Sequence, residues 1–71
     1  MSKTLEELGY EKRKGDYGIE FKKERRIIYF YDYDNINKFA CFNEWNRSTY
    51  ECLSMEELKA IYKWCEDNNW I

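Results

Sequence analysis

Apolar and polar residues alternate through the middle of the chain and recur at helical spacing near its end. Tyr17, Ile19 and Phe21 point one way while Glu20, Lys22 and Glu24 point the other, a two-residue period that predicts a strand with one buried face. The run from Arg26 to Tyr33 is almost wholly β-branched or aromatic, which predicts the strongest strand, with an apolar set on each of its faces. Strand resumes from Lys38 to Glu44 through Phe39-Ala40-Cys41-Phe42, and Thr49 to Leu53 reads as a last short one. Gly15-Asp16-Tyr17-Gly18, Asp34-Asn35 and Asn46-Arg47-Ser48 carry turn chemistry, and the first of these joins Tyr17–Glu24 to an earlier strand over Tyr10 to Lys14. These connections are too short for crossover helices, so the pattern predicts an antiparallel meander of three or four strands.

The spacing changes after Leu53. Ser54-Met55-Glu56-Glu57 fits a capping box, and Leu58, Ile61, Tyr62 and Cys65 follow at i, i+3, i+4 and i+7 as one apolar stripe. An amphipathic helix is expected from about Met55 to Asn68, packed on one face of the sheet, with Trp70 and Ile71 folding back as a latch. Thr4-Leu5-Glu6-Glu7 fits a second capping box and Gly9 supplies a left-handed stop. That predicts a short N-terminal helical turn, with Leu5 and Leu8 as a lid. The expected fold is thus α+β, a single domain over residues 1–71, with Phe21, Ile28, Phe30, Leu58, Ile61 and Tyr62 as its core.

A chain of 71 residues has room for one small core, and its three Trp, seven Tyr and four Phe are the means of filling it. They are too many for the core alone. No run approaches the roughly 18 apolar residues of a membrane span, and Met1-Ser2-Lys3 leads into charged sequence rather than a signal-peptide segment, so a cytoplasmic location is expected. Cys41, Cys52 and Cys65 are scattered and odd in number, which suits reduced, buried thiols. The net charge of −2 is unevenly spread, with a balance of +2 over residues 1–26 and −4 over residues 27–71. Such asymmetry can steer a partner or mark two solvated faces.

The absence of histidine removes Cys-His and Ser-His dyads and the commonest general base, so no enzyme is expected. Gly9, Gly15 and Gly18 match no phosphate-binding loop, and no cofactor is implied. Asp32 and Asp34 beside Asn35 and Asn37 superficially resemble the opening of a calcium loop. There is no glycine at its sixth position, and Phe39 to Phe42 stands where ligands are needed, so no metal site is expected.

The feature that calls for a function is the second apolar face of the central strand. If Ile28 and Phe30 face the helix, Ile27, Tyr29, Tyr31 and Tyr33 line the opposite side, which a lone helix cannot cover. That face is either wet cross-strand packing or a contact surface for another protein or a second copy in a homodimer. Single-stranded nucleic acid is the rival occupant, with bases stacked on tyrosine and Lys22, Lys23, Arg25 and Arg26 tracking phosphates. Net acidity, Glu20 and Glu24 among the cations, and the lack of an RNP-like pattern speak against it.

The order Leu5-Glu6-Glu7-Leu8-Gly9-Tyr10-Glu11-Lys12, a charged and aromatic meander, then Leu53-Ser54-Met55-Glu56-Glu57-Leu58-Lys59-Ala60-Ile61 resembles small uncharacterised proteins encoded by phages and prophages of low-GC Gram-positive bacteria. The resemblance implies a class of origin only, since that group carries no activity or catalytic residues to transfer. The expected role is a non-enzymatic protein-binding or self-associating module, as in a phage accessory protein.

Overall fold

In the computed structural model, which describes residues 3–34 and 36–71, four strands follow one another across one antiparallel sheet. They are β1 (Glu11–Lys14), β2 (Gly18–Lys23), β3 (Arg26–Tyr33) and β4 (Ile36–Asn43), and the helix α1 (Met55–Asp67) packs on one face. The central strand sets the register: Ile28 lies between Phe21 and Cys41, and Phe30 between Ile19 and Phe39. Phe21, Ile28, Phe30, Cys41, Ala60 and Ile61 are buried together with Leu5 and Tyr10 from the N-terminal segment. A fully buried side chain of this size contributes about 1.5 to 3 kcal/mol, which makes this layer the main source of stability. No helix among the described residues is long and apolar enough to cross a membrane.

The expected α+β meander is therefore present, with several corrections. β4 begins at Ile36, two residues before the expected start, and Thr49 to Leu53 forms a single bridge, Tyr50 to Phe42, rather than a strand. The capping box at Thr4 does form, with the Glu7 amide on Thr4 Oγ1 at 3.1 Å and the Thr4 amide on Glu7 Oε1 at 2.8 Å. No helix follows it. Overlapping turns run from Leu5 to Gly9, where φ of +101° reverses the chain before a helix can propagate. Leu5 is nonetheless buried and Leu8 packs beside it, as a lid requires. Of the residues read for targeting and turns, Met1, Ser2 and Asn35 lie outside the described residues.

The helix presents a stripe that overlaps the expected one only in part. Glu57, Ala60, Ile61 and Trp64 face the sheet; of the expected stripe Ile61 and Cys65 pack on the core, whereas Leu58 and Tyr62 are exposed. This stripe has the same spacing begun one residue earlier. It is selected by what the sheet offers: Trp64 stacks on Phe30 with centroids 3.8 Å apart, and Glu57 meets Arg26, which shares a sheet face with Ile28 and Phe30. Counting only apolar positions misses an inward glutamate. Beyond the helix, Trp70 packs edge-on against Trp64 and Phe30 as a latch, while Ile71 remains exposed.

Candidate interaction surface

The sheet face away from the helix carries a second, smaller cluster. Ile27, Tyr29 and Phe42 are buried there, with Tyr31 and Ala40 packed against them. Two segments provide the cover. The turn before β2 lies on Tyr29, whose hydroxyl accepts from the Tyr17 amide at 3.0 Å, and Gly15 is required because a Cβ there would overlap that hydroxyl. The chain after β4 doubles back, with the Glu44 amide on the Arg25 carbonyl, Glu44 paired with Lys22 at 2.6 Å, and the Arg47 guanidinium 5.0 Å above the Phe42 ring.

The four residues expected to form one contact face are thereby divided. Ile27 and Tyr29 belong to the protein's own interior, Tyr31 is half-buried, and Tyr33 is 51% exposed. What remains open is a groove of about 600 Å³ along the β3–β4 side, lined by Tyr31 and Tyr33 together with Tyr17, Tyr50, Lys38 and Arg47. Tyr17 was expected beside Ile19 and Phe21 on the helix side. Gly18, at φ of +154° and pressed so close to the Phe30 carbonyl that a Cβ would overlap it, turns Tyr17 to the groove. Its ring lies 5.2 Å from that of Tyr33.

Within the groove, Tyr31 stacks on Tyr29 at 4.4 Å and takes the Lys38 ammonium 5.6 Å from its centroid. Burial raises the Tyr31 hydroxyl above its ordinary range, so it stays a neutral donor and acceptor near neutral pH. Among the described residues no carboxylate lines the groove, where Lys38 and Arg47 are the charged groups; Asp16 and Glu20 line the adjoining cleft that shares Tyr17, Tyr31 and Arg47. Sequence reasoning missed Tyr17, Lys38, Arg47 and Tyr50. Gly18 next to Tyr17 was the one available signal that the strand's alternation breaks there.

Of the cations Lys22, Lys23, Arg25 and Arg26, the last three line one shallow cleft of about 250 Å³, but together with Glu24, Glu51 and Glu57, and Lys22 lies outside it. Lys22 is bound to Glu44, Lys23 donates to the Leu8 carbonyl at 2.8 Å, and Arg25 stacks 3.6 Å above the Trp45 ring. Arg26 turns inward and grips Glu57 with two nitrogens, at 2.9 and 3.0 Å, while also contacting the Tyr10 hydroxyl and the Cys52 carbonyl.

Tyr10, Arg26 and Glu57 thus form a hydrogen-bonded network of ionisable side chains. Burial raises the Glu57 pKa, but bonds from the Ser54 amide, Tyr10 and Arg26 outweigh it and hold the carboxyl at about 2. Burial and the Glu57 carboxylate push Tyr10 well above its ordinary range. A carboxylate this weakly basic and a phenol this weakly acidic are poorly matched to proton transfer near pH 7. Their arrangement ties the N-terminus of α1 to β3. Among the thiols, Cys41 is buried, Cys65 half-buried and Cys52 exposed, so the expectation of three buried cysteines fails at Cys52.

No protein family, curated protein or solved structure matches the chain.

Proposed function

We propose that the chain is a non-enzymatic, cytoplasmic protein-binding module, of the kind a phage or prophage accessory protein would supply, and that it binds through the tyrosine groove. The observation that carries this reading is the groove itself: Tyr17, Tyr31, Tyr33 and Tyr50 bordered by Lys38 and Arg47, with no carboxylate among them. Tyrosine offers contact area at low rotamer cost with a polar tip that tolerates water before association, which is why it is enriched at interfaces. The same groove suits a second copy or another protein.

The test pairs association with stability. Tyr31→Ser, Tyr33→Ser and Tyr50→Ser together should leave the denaturation midpoint close to wild type and abolish both self-association in sedimentation and capture of a protein partner. Tyr29→Ser is the control, expected to lower the midpoint because that ring is interior. A folded triple variant that associates as the wild type does refutes the groove as the binding surface.

A further inference from the structure

The groove borders a sheet edge that is only half covered. On the outer side of β4, the Cys41 carbonyl accepts from the Glu51 amide at 2.9 Å and the Asn43 amide donates to the Thr49 carbonyl at 3.0 Å. Backbone groups alternate along an antiparallel strand, so Asn37 and Phe39 turn their amides and carbonyls to the same side as Cys41 and Asn43. Among the described residues nothing pairs with them. Ile36 and Phe39 leave large apolar side chains exposed along this stretch, at 51% and 41%.

The two edges of the sheet are treated differently. β1 is guarded by four consecutive exposed charges, Glu11, Lys12, Arg13 and Lys14, a pattern that discourages strand addition. The free stretch of β4, residues 36–40, carries one charge, Lys38. A second copy pairing over that whole stretch about a two-fold axis would set Lys38 opposite Lys38, which is unfavourable. An acidic side chain in the same place would meet Lys38 and Arg47 together.

We infer that the free edge of β4 takes up an extended peptide segment of another protein, one that alternates apolar and acidic side chains, as a fifth strand. This inference rests on the protein-binding reading of the groove and names the partner's chemistry. The backbone of the segment satisfies the outward groups of Asn37 and Phe39, lying in line with the short Thr49–Glu51 segment that already caps Cys41 and Asn43. Its acidic side chains all fall on one face, over the groove beside Lys38 and Arg47, and its apolar side chains fall on the other, beside exposed Phe39. Main-chain bonds supply affinity and the groove supplies selectivity.

The experiment selects a displayed random library of 12-residue peptides on the full chain and follows one enriched peptide. Enriched sequences should be acidic with apolar residues at every second position, and the amides of Asn37 and Phe39 should gain hydrogen-exchange protection when the peptide binds. Lys38→Glu should weaken binding at least tenfold. Asn37→Pro should do the same without harming the fold, because its amide points away from β3; the exchange measurement on wild type stands if that variant fails to fold. Enrichment of basic peptides, or no enrichment, overturns the inference, as does binding without protection at these two amides. Protection that instead accompanies a concentration-dependent doubling of mass assigns the edge to a second copy. Saturable binding of oligothymidine that falls steeply with salt and displaces the peptide assigns it to single-stranded nucleic acid. If Asn37→Pro binds the peptide normally while the triple tyrosine variant does not, strand addition falls and the groove reading stands.

Discussion

Phe30 makes more aromatic contacts than any other described residue: Phe21 edge-on at 5.8 Å, Trp64 stacked at 3.8 Å, Trp70 edge-on at 5.8 Å, and Phe39 tilted at 6.2 Å. In so small a chain, one ring thus ties together two strands, the helix and the segment beyond it. Phe30→Ala removes about 3 to 5 kcal/mol, comparable to the whole stability of many small domains, and chemical denaturation should find the variant largely unfolded in water. A midpoint equal to wild type would exclude Phe30 from the centre of the core. Strand alternation was sufficient to place Phe30, Ile28 and Phe21 together. It could not separate Tyr29 from Tyr31, which share a face and a side-chain type but not an environment. That difference comes from Gly15 and the turn it permits, a contact between residues 14 apart in sequence.

The helix shows the same division between what local pattern conveys and what it cannot. Both parts of its capping box form: the Glu57 amide lies 3.1 Å from Ser54 Oγ and the Ser54 amide 2.8 Å from Glu57 Oε1. The other end closes with Asn69 at φ of +61°, the Trp70 amide on the Cys65 carbonyl and the Asn69 amide on the Glu66 carbonyl, the paired bonds of a Schellman stop. Both ends follow from residues a few positions apart, and the element was placed to within one residue. Its orientation depended on Arg26, some thirty positions away, and the apolar stripe alone pointed about one position too far along. The bonds that Glu57 accepts from the Ser54 amide, Tyr10 and Arg26 also make the docking of α1 sensitive to acid. Because folding lowers the Glu57 pKa from 4.5 to about 2, its contribution is complete above pH 4.5 and is lost as pH falls through 2. Discounted for solvent on one side of the cluster, that contribution is about 1 kcal/mol. Glu57→Gln should therefore be less stable at pH 7 and show a shallower decline below pH 4.5, measured by denaturant midpoints across pH. An identical pH profile would mean that these bonds to the Glu57 carboxylate carry no net stability.

At the scale of the whole molecule, one helix covers one side of a four-stranded sheet, and the other side is covered in part by two short non-helical segments, a turn and a doubled-back loop. Composition indicated that more aromatic side chains were present than the helix side could absorb. It could not say that residues 15–17 and 44–50 would bury Tyr29 and Phe42, since neither segment has a regular period. The same arrangement separates the three indole rings. Trp64 and Trp70, both half-buried against the core, meet at 4.9 Å and 85°, whereas Trp45 is 72% exposed beneath Arg25 at the β2–β3 turn. The molecule thus carries two optical reporters, one for the seating of α1 and one for the loop. Trp45→Phe should remove the long-wavelength part of the emission and leave a fluorophore pair whose mutual circular-dichroism signal exists only while Trp70 is latched. Loss of that near-ultraviolet signal before the far-ultraviolet helix signal, on gentle heating, would time the latch's release; simultaneous loss would show that the latch, helix and sheet come apart as one unit.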